Sequence, residues 1–498
     1  MPEQKKRVIV EGVDFSQLFQ FHRILGAATA ALQPARLVIG LLMVTALITF
    51  GRIWDGAAPP TVSPMGLAAD PWRADMHGSA HQARLHNAMV SFSVSGAPQP
   101  APGATNELNT ATVMQAIQTE YQTRRLALES EDARRNLDQQ YARLVGDLNE
   151  TRPRGVFEAT VDHVLGGFNQ TVQGIFSLEF DRIVAGLNAL MIQTPTALWR
   201  HHRWFAIVYG LFAVLVFAIG GGAVARIAAV QAATQKHLSI RESVDFSLRR
   251  LLDLFIAQTL PLMILLILCG VVAVMGVLMA APVLDVIGGA VYGIALALGF
   301  LIAFLAVGYV LGHPMLVPAV ACESCSGPDA MQRAYAYVIT RPLHLLWYWI
   351  VGLVGLALGF LAVSVVAALM LNATALLYGT LVSNPALIAS DEMLELTRHT
   401  PAVPLDSWHH RWSAGLIGLW ETLVLCLVAA YVLSYRFSAS AIIYLLMRKA
   451  ADGQDLQEIW QPGLIPGTLV AVPAGANPPA SEPSPEPARG MAAVGDDA

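Results

Sequence analysis

The dominant pattern along the chain is a series of long and almost uninterrupted apolar blocks. A helix needs about 20 mainly apolar residues to cross a bilayer. The blocks of sufficient length are residues 37–53, 204–227, 254–281, 286–312, 345–371 and 414–435. Backbone groups in lipid must find their hydrogen-bond partners within the segment, so each block is predicted to be a transmembrane helix. The sequence therefore predicts an all-α integral membrane protein with six spans.

A different pattern lies between the first two apolar blocks. Residues 55–106 are rich in Pro, Gly, Ala and Ser, which predicts a loosely ordered linker. Residues 107–203 carry two runs of apolar residues at helical spacing, separated by residues 151–155, which predict an antiparallel helical hairpin outside the cytoplasm. The apolar stripes either pack on each other or, over residues 168–180, lie on the membrane surface or hold a partner.

The remaining segments follow from these two patterns. The chain divides into an N-terminal segment (1–36), a first span (37–53), the linker and hairpin, a five-helix bundle with cytoplasmic elbows (204–450) and a largely disordered tail (451–498). Lys and Arg are concentrated at the same side of the spans as the two termini. Because such residues are enriched on the cytoplasmic side of a membrane, both termini are predicted to be cytoplasmic. The first span has no cleavage site after it and is predicted to be an uncleaved anchor.

Composition narrows the class of protein further. Charged residues make up 13% of the chain and hydrophobic residues 55%, whereas a soluble domain has about 25% charged residues. A net charge of −5 argues against a nucleic-acid-binding protein, and four cysteines argue against a disulfide framework. The sequence motifs of P-loop NTPases, zincin proteases and α/β-hydrolases do not occur. We therefore expect a protein that is not an enzyme and holds no cofactor.

An internal repeat is suggested by a shift of 87 residues. Ser239 and Glu242 then align with Ser326 and Asp329, and each pair comes between two spans. A serine followed three residues later by a carboxylate is typical of a helix N-terminus. The alignment predicts two and a half parallel two-helix repeats. Chance matching between low-complexity membrane segments is the alternative.

Few side chains are candidates for chemistry. His201 and His202 precede Arg-Trp at the start of the second span, and His409 and His410 precede the same dipeptide near the sixth. Imidazoles from two helices can ligate a metal or haem iron. The flanking Arg and Trp residues favour anchoring at the membrane interface instead.

Two further candidates lie in or near the spans. Cys322 and Cys325 have the spacing of half a zinc site, but nothing in the sequence supplies the other half, so packed small residues are the simpler interpretation. Glu421 lies about seven residues inside the sixth span, where a carboxylate is costly. It either binds a proton, a cation or a polar headgroup, or lies close enough to the interface to be hydrated.

One region resembles a known class of proteins. Residues 316–355, with Pro318, Glu323, Gly327 and Arg333 before a span, resemble bacterial multi-pass proteins that include the membrane domain of some glycerophosphodiester phosphodiesterases. The resemblance covers about residues 200–455 and implies a helical membrane fold. It implies no hydrolase activity, since the repeated βα pattern of a catalytic barrel does not occur.

We therefore expect a scaffold or accessory subunit in a bacterial inner membrane. It would contact membrane lipids and hold a protein partner through residues 107–198 or the cytoplasmic elbows, without binding nucleic acid. The alternative is a transporter or lipid-handling protein that uses the repeated helix pairs and Glu421.

Overall fold

The computed structural model describes residues 22–69, 78–92, 110–278, 284–379, 408–468 and 470. The secondary structure of these residues is helical, apart from one isolated antiparallel bridge between Val62 and Arg154. Within them, six helices are long and apolar enough to cross a membrane. These are Pro34–Ala57, Arg203–Thr234, Leu251–Val277, Gly288–Glu323, Pro342–Leu377 and Gly415–Asp452. The predicted all-α membrane protein with six spans is confirmed.

The helices are labelled in chain order. They are α1 (His22–Ala30), α2 (Pro34–Ala57), α3 (Ser79–Ser91), α4 (Thr110–Ala127), α5 (Glu131–Thr151), α6 (Val156–Ser177), α7 (Phe180–Asn188), α8 (Thr194–His201), α9 (Arg203–Val216), α10 (Gly222–Thr234), α11 (Ile240–Arg249), α12 (Leu251–Leu278), α13 (Leu284–Glu323), α14 (Gly327–Thr340), α15 (Pro342–Gly379) and α16 (Trp408–Asp452). Two π-helical segments, Ala189–Gln193 and Phe217–Gly221, join α7 to α8 and α9 to α10.

Two short helices, α11 and α14, turn the chain from one span into the next, and we call them the elbows. Each begins at the serine that the sequence indicated. The Ser239 hydroxyl accepts a hydrogen bond from the Glu242 N–H at 3.2 Å, and the Ser239 N–H donates to the Glu242 carboxylate. The Ser326 hydroxyl accepts from the Asp329 N–H at 3.4 Å. Both predicted N-caps are confirmed, while the parallel repeat stays a prediction.

The main hydrophobic core lies on the elbow side of the bundle. It is formed by α10, the elbows and the last turns of α13 and α16. The 40-residue α13 is about 60 Å long, twice the hydrocarbon thickness of a bilayer. Along it, exposed side chains end at Val310 and full burial begins at Met315. The elbow core therefore continues beyond the lipid-facing part of the bundle.

The chain ends differ from the expected segments. In the N-terminal segment, α1 packs against α15 and α16. Residues 453–468 were expected in a largely disordered tail, but they cover the elbow core with Leu456 and Ile459 buried, and the Trp460 N–H donates to the Cys322 carbonyl at 2.9 Å. This part of the tail still contains apolar side chains such as Leu456 and Ile459, which pack against the elbow core. Residues 471–498 lie outside the described residues.

The expected linker over residues 55–106 contains helix α3. Its apolar side chains share a small core with α4 and α5, in which Leu85, Ile117 and Tyr121 are buried. His81 is also buried, and its Nε2 lies 2.9 Å from the Thr110 hydroxyl. The structure thus differs from the expected linker over this part, because the Pro and Gly residues on both sides of one short helix dominate the composition of residues 55–106.

The predicted hairpin of two long helices also differs from the structure. The first helix is divided into α4 and α5 at residues 128–130, and the second into α6 and α7 at Leu178. Leu178 has a left-handed backbone, and the following N–H of Glu179 donates to the Gly174 carbonyl at 2.9 Å, which ends α6. Two short antiparallel pairs thus replace one long hairpin.

Candidate functional site

A groove of about 500 Å³ lies toward the end of the bundle away from the elbows, formed by α6, α7 and the segment after α2. We call it the α6–α7 groove. It is lined by Pro64, Met65, Gly66, Leu67, Arg154, Ala159, Asp162, His163, Gly166, Gly167, Gln170, Ala185, Asn188, Ala189 and Gln193. This volume suits a small molecule or the headgroup of an amphiphile.

One wall of the groove is fixed by the start of α6. The Asp55 carboxylate, near the end of α2, accepts hydrogen bonds from the N–H groups of Phe157 and Glu158, both at 2.9 Å. It thereby caps two of the free donors at the helix N-terminus. Val62 and Arg154 exchange two backbone hydrogen bonds of 3.1 and 3.0 Å, which hold the following segment over α6. Gly66, at φ 105°, then turns this segment along the groove.

The floor of the groove depends on glycine. A Cβ atom at Gly186 of α7 would lie 2.6 Å from the Gly167 carbonyl oxygen of α6. A Cβ atom at Gly174 would lie 2.8 Å from the Ile183 nitrogen. The two helices approach too closely for side chains at these positions, as in the small-residue interfaces of membrane helices.

The polar groups of the groove are concentrated on α6 and just before it. Arg154 pairs with Asp162 at 2.9 Å, and both side chains are partly buried. Two buried nitrogens, Nε of Arg154 and Nε2 of His163, have no hydrogen-bond partner among the described residues. A buried polar atom without a partner is costly, which makes these two nitrogens candidate contacts for a ligand.

The opposite wall contains the π-helical segment Ala189–Gln193. Pro195 follows it, and proline has no N–H to donate to the carbonyl four residues earlier. The Thr194 hydroxyl donates to the carbonyl of Ala189, five residues earlier, at 2.7 Å. The widened turn carries Gln193, which lines the groove together with Asn188. Such π-bulges are frequent at functional sites.

A second cluster of polar side chains lies in the elbow core around Glu323, at the end of α13. The Glu323 carboxylate forms an ion pair with Arg333, accepts a hydrogen bond from the Tyr444 hydroxyl at 2.5 Å and lies 3.6 Å from Nη1 of Arg448. Arg448 is only 1% exposed and also donates to the carbonyls of Asp455 and Glu458. One carboxylate thus joins α13, α14 and α16.

Arg226 extends this cluster from α10. Its guanidinium donates to the carbonyls of Ala321 and Trp460, both at 2.9 Å, and lies between the rings of Phe246 and Trp460. A cavity of about 70 Å³ remains between Glu323 and the segment over residues 454–468. Most charged groups of the cluster have protein partners, so we interpret it as a structural connection between the span ends.

The two cysteines with the spacing of half a zinc site lie beside this cluster. Cys322 and Cys325 are both buried free thiols, and the Cys325 thiol donates to the Ala319 carbonyl at 3.6 Å. Burial raises the pKa of Cys325 to about 12, which favours the thiol over the thiolate that binds metal. Among the described residues, no group of three or more His, Cys, Asp or Glu side chains is arranged to hold a metal ion.

The other predicted candidates lie outside the groove lining. The rings of His201 and His202 are 6.4 Å apart, and burial together with His201 lowers the pKa of His202. His409 is exposed, and the side chain of His410 lies outside the described residues. Glu421 is half-buried on α16.

The groove residues Arg154, Asp162, His163 and Gln170 were not among the sequence candidates. A signal was present on α6, where polar or small residues recur at positions 162, 163, 166, 167 and 170. This helical spacing marks a polar face opposite the apolar stripe. The spacing alone does not predict a groove, because the groove forms only where α7 and the segment after α2 pack beside this face.

Comparison with protein-family models, curated proteins and solved structures found no match to this chain.

Proposed function

We propose that this protein is a non-enzymatic, lipid-handling membrane protein that binds the polar headgroup of a lipid in the α6–α7 groove. The observation that carries the proposal is the groove itself, with the unpartnered nitrogens of Arg154 and His163 buried beside it. The sequence favoured a transporter or lipid-handling protein second, on the basis of the repeated helix pairs and Glu421. The groove favours lipid handling over the scaffold, and the residues it assigns to this function are those of the α6–α7 groove rather than Glu421.

The chemistry of the lining supports a headgroup as the ligand. The Arg154–Asp162 pair contributes no net charge, while Gln170, Asn188 and Gln193 supply amide donors and acceptors. Such a lining suits a zwitterionic or hydroxyl-bearing headgroup better than a strongly charged solute. The glycines and alanines between these groups leave room for the headgroup.

Orientation follows from the basic residues. We place the elbow side and both termini in the cytoplasm of a bacterial inner membrane, because the elbow loops carry Lys236, Arg241, Arg249 and Arg250. The segment after α2 then lies at the extracytoplasmic face, and the groove extends from there into the bundle, so its ligand comes from the outer leaflet.

The test is to fill the groove without disturbing its walls. Gly166 lines the groove, and a Cβ atom there meets no other atom within 4 Å. We expect Gly166→Phe to fold and to lose the lipid that co-purifies with the parent protein in mild detergent, measured by mass spectrometry of the extracted lipids.

A matched control lies on α5. Gly146 is also helical and has open space at its Cβ position, but it does not line the groove. Gly146→Phe should retain the co-purified lipid at the parental stoichiometry. Equal lipid retention by both variants would contradict the proposal.

A scaffold remains the second candidate, and the arrangement of α3, α4 and α5 favours it. These helices pack chiefly against one another around their own core, and α4 and α5 belong to the segment 107–198 that was expected to hold a partner. If they bind a protein, Leu126→Glu, at an exposed apolar position on α4, should release a stoichiometric partner from the purified complex while the co-purified lipid stays unchanged.

A further inference from the structure

The depth of the α6–α7 pair relative to the spans can be traced through its contacts. At its start, α6 lies beside the groove end of α2, where the Phe157 ring occupies the space next to Gly51. Further along, the Phe168 ring meets the Phe360 ring of α15 edge-to-face, with centroids 4.9 Å apart. Phe360 lies at the middle of the candidate span Pro342–Leu377. One end of α6 is thus at the end of a span, and its centre is at mid-span depth.

A second path of contacts gives the same depth. Phe360 follows Gly359, whose Cβ position is filled by the Tyr431 hydroxyl of α16. The neighbouring Ala430 carbonyl oxygen lies 2.6 Å from the Cβ position of Gly40 on α2. From Gly51 to Gly40 is about 16 Å along α2, and Phe157 to Phe168 is about 16 Å along α6. These two equal distances are consistent with an α6 that is antiparallel to α2 and extends from the groove end of α2 toward the elbow side.

The surface of α15 next to this contact is apolar and open. Leu358, Leu361 and Val365 are each about half exposed, as expected for side chains that face lipid. Phe168 therefore joins α6 to a lipid-facing surface rather than to a surface in water.

The far end of the α6–α7 pair presents large apolar side chains. Leu178 is 89% exposed and Phe180 is 76% exposed, and Phe176 and Val184 beside them are also exposed. In water such a set would be an unfavourable apolar patch. Because Phe168 on the same helix contacts the apolar surface of α15, we expect this set to face acyl chains as well.

We infer that the α6–α7 pair is a membrane-embedded helical hairpin, with Leu178 and Phe180 in contact with lipid acyl chains. Its polar face closes the groove and its apolar face contacts lipid. The charged groups near its end form an ion pair between Glu179 and Arg182 at 2.6 Å, which lowers the cost of placing them near hydrocarbon. This inference rests on contacts with α2 and α15, not on the ligand of the groove.

The test is spin-label accessibility in the full chain, reconstituted in phosphatidylcholine nanodiscs. Cys269 is the exposed cysteine among the four, so Cys269→Ser provides the background. Labels are placed at Leu178→Cys and Phe180→Cys, both at exposed positions where a label does not disturb packing. Power saturation then compares collisions with oxygen, which enters lipid, and with a polar nickel chelate, which stays in water.

Two leucines on other helices calibrate the result. Leu266, 56% exposed within the span α12, is the lipid reference, and Leu126, 73% exposed on α4, is the water reference. We expect the oxygen-to-nickel ratio at positions 178 and 180 to exceed that at 126 and to lie closer to that at 266 than to that at 126. A ratio at either position that matches the one at 126 would overturn the inference. Loss of co-purified lipid in Gly166→Phe has no bearing on this result.

Discussion

The Glu323→Gln substitution tests whether the elbow core is held together by its buried carboxylate. Glu323 accepts from the Tyr444 hydroxyl and faces two guanidiniums, of which that of Arg448 is buried and that of Arg333 is one-third exposed. Gln keeps the volume but removes the negative charge. Arg448 then remains buried with its charge uncompensated by an anion.

The magnitude follows from the burial of the two partners. Breaking a buried ion pair from one side costs about 3–5 kcal/mol. Arg333 is partly exposed, so solvent screens its interaction with Glu323. We therefore expect Glu323→Gln to lower the free energy of unfolding by about 3 kcal/mol, the lower end of this range. For a cooperative unit of this size, the midpoint of thermal unfolding should fall by about 6–12 °C.

The assay is thermal unfolding of the purified protein in one detergent, followed by intrinsic tryptophan fluorescence, to which Trp460 in the elbow core contributes. The control is Asp245→Asn, which breaks the exposed pair between Asp245 and Arg249 on the same side of the bundle. That pair contributes about 0.3 kcal/mol, so its loss should barely change the midpoint. If Glu323→Gln and Asp245→Asn unfold at the same temperature, the reasoning is refuted.

Three further predictions concern other parts of the fold. Asp55→Ala removes the cap of α6 and should destabilise its first turn by about 1–2 kcal/mol, which faster amide exchange at Phe157 and Glu158 would report. Ser239→Ala should cost the α11 elbow about 1 kcal/mol, and an unchanged unfolding midpoint would contradict the capping role. Burial and the nearby Arg84 lower the pKa of His81 below its ordinary 6.5, so the unfolded chain takes up the proton first. The stability of α3–α5 should therefore be retained above about pH 6.5 and fall as the pH drops below it. In His81→Gln this loss of protection against amide exchange on acidification should disappear.

The spans and the elbows could be predicted from the sequence because each depends on residues that are close together along the chain. A block of apolar residues long enough to cross a bilayer has one stable backbone conformation, so the six helices were predicted. Their ends were not, since α13 reaches Glu323 and α16 reaches Asp452, well beyond the apolar blocks. The serine caps at Ser239 and Ser326 likewise need only a carboxylate three residues later.

The groove and the elbow cluster were not accessible in this way because both depend on contacts between distant residues. Glu323 and Arg448 are 125 positions apart, and Asp55 caps a helix that begins about 100 residues later. No local pattern distinguishes such a buried carboxylate from a solvated one. Helix α3 was missed for a related reason, since its packing partners α4 and α5 lie beyond residues 93–109, which are outside the described residues.

The central claim is that the α6–α7 groove holds a lipid headgroup. The most direct measurement is photo-crosslinking in membranes with a phosphatidylethanolamine analogue that carries a diazirine on its headgroup, followed by mapping of the modified peptides. The account predicts crosslinks concentrated at residues 154–170 and 185–193 and lost in Gly166→Phe but not in Gly146→Phe. Headgroup crosslinks spread evenly around the ends of the spans, with the same yield in both variants, would contradict it.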